Sequence, residues 1–283
     1  MTRRQLLIGG GFAAAAAVLG LGAADALDHP EFERGLHRVG LASTPTVHLP
    51  SSGALEHNGT FHSRYTNGPV SWTVSHPPGA QPLQGTIFCL HGKGANHRFA
   101  FDSVHVPDAA AYLGLRLAVA GVDGGADSYW HPRRNGSDAL AMLLEEFAPM
   151  VRSMVGDLPQ ALMGWSMGGY GALLAAERAR NQFVAVAPAS PAIWLTPAAT
   201  APGAFDSPAD FYANNVFDGL ANMNGMAVAV ACGTSDPFYA TTRNLVARMT
   251  YPHADFFGPG FHDTSYWASV APSQLRAIAP ALA

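Results

Sequence analysis

Lysine is almost missing from this chain: Lys93 is the only one among 16 basic residues, and charged residues of all kinds make up 13% of the 283 positions. With a formal net charge of −4 and no cluster of basic side chains, the surface offers a polyanion nothing to bind, so no nucleic-acid partner is expected. Cysteine is scarce as well. Cys89 and Cys232 each sit inside an apolar run that reads as a central strand, so both are expected to be buried, unpaired thiols. No repeat, long charged block or low-complexity tract divides the chain. Beyond the N-terminus, no segment is long and apolar enough to cross a membrane. What the chain has in quantity is hydrophobic surface, 48% of its residues, which supplies one large core.

The first residues read as an address. Thr2-Arg3-Arg4-Gln5-Leu6-Leu7 precedes an apolar run rich in glycine and alanine that lasts to Ala24, and Ala24-Asp25-Ala26 offers an A-x-A cleavage site. This pattern resembles a twin-arginine (Tat) export signal, which makes 1–26 a signal peptide and the protein secreted or held in the cell envelope. The alternative is an uncleaved N-terminal anchor, since about 20 apolar residues can span a bilayer. The short, glycine-rich run makes a poor span, which favours cleavage. Removing 1–26 takes away Arg3, Arg4 and Asp25 and leaves a net charge of −5.

Residues 27–57 lack periodicity, hold Pro30, Pro45 and Pro50, and read as a loosely structured lead-in. From 58 to 283 the pattern is that of one domain. Alternation over 59–66 and 70–76 predicts two strands joined at Asn67-Gly68. Continuous apolar runs predict further strands at 86–90, 117–120, 161–163, 183–187, 226–231 and 254–257. Helical spacing falls at roughly 107–114, 137–155, the stretch after Ser166, and 243–249. Residues 196–224, rich in Pro, Ala and Asn, break this rhythm and read as a cap-like insertion, with a short helix after Ser207-Pro208. Strands alternating with helices predict an α/β fold, a mostly parallel sheet covered on both faces. In such sheets ligands bind beyond the carboxyl ends of the strands.

Gly164-Trp165-Ser166-Met167-Gly168 lies between an apolar strand and an alanine-rich helix. A turn that tight leaves no room for a Cβ two residues either side of the serine, and glycine tolerates the strained dihedrals. Such a turn lifts the Ser166 Oγ clear of the sheet. A serine hydroxyl is a weak nucleophile on its own and needs a base, and the base needs an orienting carboxylate. Asp236 and His262 both follow predicted strands, and after Asp236 the sole other histidine, His253, precedes the last strand. Asp206, Asp210 and Asp218, in the cap segment, are the competing acids. His91 and His97 could be read as metal ligands, but the chain lacks H-E-x-x-H and Cys-x-x-Cys spacings, so no metal or other cofactor is expected.

The G-x-S-x-G turn in its strand-to-helix context is the nucleophile elbow of α/β-hydrolases, where the triad follows in the chain order Ser, Asp, His. The run Gly164 to Leu173 resembles the elbow of the esterase D group, which includes S-formylglutathione hydrolases, feruloyl esterases and mycolyltransferases. The His91-Gly92 loop, Asp123-Gly124-Gly125, Glu145-Glu146, Gly233-x-x-Asp236 and Gly260-x-His262-Asp263 fall in that group's order, over roughly 58–280. The resemblance implies an α/β-hydrolase fold and a Ser166–His262–Asp236 triad cleaving a small-molecule or lipid acyl ester. It also implies an oxyanion hole made of the backbone N–H groups of Lys93 and Met167. His91-Gly92-Lys93-Gly94-Ala95-Asn96-His97 lacks the cysteine of the S-formylglutathione hydrolases, and Gly168-Gly169 departs from the mycolyltransferases. The expectation is therefore an exported serine carboxylesterase. The alternatives are an acyltransferase to a sugar or lipid alcohol and, outside enzymes, a hydrolase-fold protein that binds an envelope ligand without catalysis.

Overall fold

The computed structural model describes residues 47–283, so the twin-arginine segment and most of the lead-in lie outside the described residues. Among the described residues eight strands form one sheet: β1 (Leu55–Ser63), β2 (Gly68–His76), β3 (Gly85–Leu90), β4 (Leu117–Val122), β5 (Gln160–Trp165), β6 (Ala185–Ala189), β7 (Ala227–Gly233) and β8 (Ala254–Gly258). Their order is β1-β2-β4-β3-β5-β6-β7-β8. The β1–β2 and β2–β4 pairs are antiparallel, and the remaining pairs are parallel. Six helices matter below: α1 (Val106–Tyr112), α2 (139–155), α3 (Met167–Arg178), α4 (Pro208–Ala213), α5 (Tyr239–Arg248) and α6 (Thr264–Ile278).

Period-two alternation along fully buried strands sorts the core into two layers. Phe88, Leu90, Leu162, Val186 and Val228 face one side, packed with Leu143 and Phe147 of α2, Leu173 and Leu174 of α3, and Leu245 of α5. Ile87, Cys89, Met163, Ala187 and Ala231 face the other, packed with Ala109 of α1 and Val270, Leu275 and Ile278 of α6. Sheet and helices thus form three layers, with the carboxyl ends of β3, β5, β7 and β8 opening onto one edge.

All eight expected strands are present, with shifted ends; the first starts at Leu55, so the lead-in stops short of the expected residue 57. The hairpin turns at Asn67, whose φ of 55° is left-handed. The helix at 139–155 carries a π-helical stretch, Met142–Phe147, from which Glu146 accepts from the Ser63 hydroxyl at 2.6 Å and Glu145 from the Tyr65 hydroxyl. Periodicity did not show α6. Pro272 interrupts its backbone ladder, and the helix persists because its apolar face is buried on the sheet and the Asp263 side chain caps its first turn, accepting from Tyr266 N at 2.9 Å.

Residues 196–224, the segment expected to be cap-like, fold as short turns around α4, with Ser207 as N-cap. Arg133 pins it, donating to Gly203 O, Ala204 O and Asp206 Oδ1 at 2.9 Å each, and Tyr170 of α3 donates to Asn214 O at 2.8 Å. Asp206 and Asp210, two of the competing acids, are taken up in this scaffold: Asp210 accepts from Asp206 N at 2.8 Å.

Cys89 and Cys232 are both buried and free, on strands separated by β5 and β6. At about 4.8 Å per strand they stand roughly 14 Å apart, twice the reach of a disulfide. Thiol titration of denatured, unreduced protein is expected to count both cysteines as free; a count of zero would contradict this strand order.

Candidate active site

Ser166 sits between the end of β5 and the start of α3 with φ 55° and ψ −118°, a conformation that costs on the order of 1–3 kcal/mol and persists only when its surroundings enforce it. The enforcement is steric. A Cβ on Gly164 would stand 2.1 Å from Gly168 O, and one on Gly168 would stand 1.9 Å from Leu90 O. Both glycines flanking the serine are therefore required by close backbone approach, as the spacing suggested.

The loops after β7 and β8 bring Asp236 and His262 to this turn. His262 Nδ1 lies 2.8 Å from Asp236 Oδ2, and His262 Nε2 lies 2.8 Å from Ser166 Oγ. Asp236 is 2% exposed, and its second oxygen accepts from Phe238 N at 2.8 Å. A carboxylate carries no proton, so Nδ1–H donates to it and Nε2 is left to accept from the serine hydroxyl. The imidazole also packs edge-on against Trp267, 5.1 Å between centroids, and at a tilt against Phe238, 5.3 Å. All three residues singled out from the sequence thus form one hydrogen-bonded chain.

Gly92 packs against this centre: a Cβ there would lie 3.5 Å from Ser166 Cβ and 3.3 Å from Trp165 O. Lys93, the next residue, is exposed, and Met167 occupies the first position of α3. Neither amide meets an acceptor among the described residues, whereas Gly94 N donates to Ala126 O at 2.7 Å. Two backbone donors, one on the residue after Ser166 and one on the residue after Gly92, are thus left without an acceptor among the described residues.

His91 is no metal ligand here. Its Nδ1 donates to Gly92 O at 2.8 Å, and its Nε2 accepts from Gly124 N at 2.9 Å, which uses both ring nitrogens in the neutral form. Burial holds its pKa below the ordinary histidine range, outweighing the Gly92 carbonyl and the Asp123 carboxylate. His97 is bound to Asp123, with its backbone N 2.6 Å and Nδ1 2.9 Å from Oδ1. Among the described residues no group of three His, Cys, Asp or Glu side chains could hold a metal ion.

Two cavities lie on the described surface, neither lined by Ser166, Asp236 or His262. A polar groove of about 910 Å³ runs along the His91 loop, between Asn96, Asp127, Ser128, Arg134 and Asn135. An apolar pocket of about 440 Å³ lies in the cap between Pro197, Ala201, Phe205, Pro208 and Phe211. Phe205 is linked to the triad histidine by a run of ring contacts, Phe205–Trp194–Phe238–His262, each 5.3–6.2 Å between centroids. Sequence reasoning missed Trp194, Phe238 and Trp130, since isolated aromatics in loops carry no periodic signal.

The Esterase family model matches residues 66–269, most of the domain and every residue of the site. The chain belongs to the Esterase family. This esterase has the α/β-hydrolase fold. Its structure resembles a ferulic acid esterase (TM-score 0.68, 20% identity, covering 79% of this chain and 99% of the other). It also resembles the S-formylglutathione hydrolase of Staphylococcus aureus (TM-score 0.66, 19% identity, 82% and 100%). A third likeness is to fluorophosphonate-binding serine hydrolase F of the same organism (TM-score 0.65, 19% identity, 81% and 99%). None of the curated proteins matches the esterase.

Proposed function

We propose that this esterase is exported and hydrolyses a small or medium acyl ester through Ser166, His262 and Asp236. The observation that carries the reading is the unbroken chain Asp236–His262–Ser166 ending on a hydroxyl held at a strained elbow. Ser166 Oγ attacks the ester carbonyl while His262 Nε2 takes its proton, and the carbonyl oxygen becomes an oxyanion. Collapse expels the alcohol, which receives that proton from His262 and leaves an acyl-enzyme. Water, deprotonated by the same nitrogen, then releases the acid. Asp236 holds the tautomer and stabilises the imidazolium. Export rests on the Arg3-Arg4 pair ahead of its apolar run, and that address is compatible with work in the cell envelope.

The oxyanion donors are the amides of Lys93 and Met167, supported by the place of Met167 directly after Ser166, by that of Lys93 directly after Gly92, and by the lack of any acceptor for them among the described residues. Lys93 then acts through its backbone and not through its ammonium. Lys93→Ala keeps the amide and is expected to stay within about tenfold of wild type in kcat, whereas Lys93→Pro removes a donor and should cost about 10²- to 10³-fold. A hundredfold loss in a folded Lys93→Ala variant would assign the chemistry to the side chain.

The acyl group is assigned to the apolar side, where Trp194 and Phe238 lead to the cap pocket. A panel of acyl esters of graded chain length, with and without an alcohol acceptor, tests this. Shortening 196–224 is expected to change the chain-length profile more than the turnover of the acetyl ester. An unchanged profile places the acyl pocket elsewhere, and acyl transfer to the acceptor in preference to water would replace hydrolysis by transfer.

A further inference from the structure

The two amides read above as oxyanion donors stand on different elements, Met167 on α3 and Lys93 on the loop after β3, so their spacing is not set by either element alone. We propose that His91 and Trp130 are positioning residues that fix these two donors relative to each other. The inference rests on the reading of Lys93 and Met167 as the oxyanion hole.

His91 acts on Lys93 through one peptide plane. The Gly92 carbonyl and the Lys93 N–H belong to the same trans peptide and point in opposite directions. His91 Nδ1 holds that carbonyl at 2.8 Å, which aims the Lys93 N–H the other way. The imidazole is itself held from behind by Gly124 N at 2.9 Å, and it is 2% exposed. It cannot rotate without giving up both bonds.

Trp130 ties that loop to the helix carrying Met167. Its indole is fully buried, and its Nε1 donates to His91 O at 3.3 Å. The same side chain lies flush on Gly171 of α3 and on Gly124: a Cβ at either would stand 2.5 Å from a Trp130 carbon. The indole therefore spans α3, the loop after β4 and the loop after β3. Both Tyr129 and Trp130 adopt left-handed φ angles, 51° and 54°, conformations unfavourable for bulky residues that serve to deliver the ring into this gap. Neither residue reaches the serine, so both would act by placing the amides that do.

The test compares His91→Leu, His91→Gln and Trp130→Phe with wild type, each first shown by circular dichroism and thermal melting to be folded. Two readings are taken: the division between kcat and KM on a small acetyl ester, and affinity for a trifluoromethyl ketone. That inhibitor reads the hole directly. Ser166 Oγ adds to its carbonyl carbon, the hydroxyl proton passes to His262, and the carbonyl oxygen becomes a bound oxyanion. His91→Leu is expected to lose about 100-fold in kcat with KM within about threefold, and to lose ketone affinity in parallel. His91→Gln, which can donate to Gly92 O and accept from Gly124 N, should recover to within about tenfold of wild type. Trp130→Phe keeps the ring between the glycines and loses the bond to His91 O, so about a tenfold loss in both readings is expected. A folded His91→Leu with kcat within about threefold of wild type and unchanged ketone affinity would overturn the proposal. Should His91→Leu not fold, Trp130→Phe decides by the same two readings. Lys93→Pro separates the levels: if it keeps wild-type kcat and ketone affinity, the oxyanion reading fails, and if it loses both while the His91 and Trp130 variants behave as wild type, only the positioning role fails.

Discussion

Ser166→Ala is expected to lower kcat for ester hydrolysis by about 10⁴- to 10⁶-fold while the protein stays folded. The side-chain oxygen bonds to His262 Nε2, and both residues are only half-buried, so its removal leaves no buried partner unsatisfied inside the core. Alanine keeps the Cβ that already tolerates the elbow, and the flanking glycines, which bear the close contacts, are untouched. Initial rates on an acetyl ester beside a thermal melt make the measurement. A variant with an unchanged melt and activity within about tenfold of wild type would mean that another residue carries the attack.

Asp236→Asn is expected to cost about 10⁴-fold in kcat with little change in the fold, and the structure says why. Phe238 N donates to Oδ1 at 2.8 Å, so an asparagine there must keep its carbonyl oxygen on that side. Its amide NH₂ then faces His262 Nδ1 at the position Oδ2 occupies, 2.8 Å away. A donor facing Nδ1 forces that nitrogen to accept, which moves the ring proton to Nε2. Nε2 can then no longer take the proton of Ser166. Steady-state kinetics on Asp236→Asn and Asp236→Ala check this. An asparagine variant with activity near wild type would show that Asp236 does not set the tautomer.

The parts of the molecule legible in the sequence are those written in local chemistry. Strands β3 to β7 showed because a strand buried on both faces reads as an unbroken apolar run, and Ser166 showed because its flanking glycines stand where a Cβ would come within about 2 Å of backbone oxygens. Asp236 and His262 showed through order along the chain and position after strands. Their contacts were not readable, since Asp236 and His262 stand 26 positions apart in sequence and His262 and Ser166 stand 96 apart. Helix α6 escaped because Pro272 stands in its middle and tertiary packing overrides that local signal. Trp130 escaped for a different reason: its packing depends on Gly124 and Gly171, which come against its ring only in the folded chain.

The reading of Ser166 as the nucleophile is tested most directly by covalent labelling. The intact esterase is treated with a fluorophosphonate, digested, and the modified peptide is identified by mass spectrometry, with Ser166→Ala treated alongside. The phosphonyl group is expected on the peptide containing Ser166, one adduct per chain, and on no peptide of the variant. Labelling of the variant, or an adduct at any other residue of the wild-type protein, would contradict it.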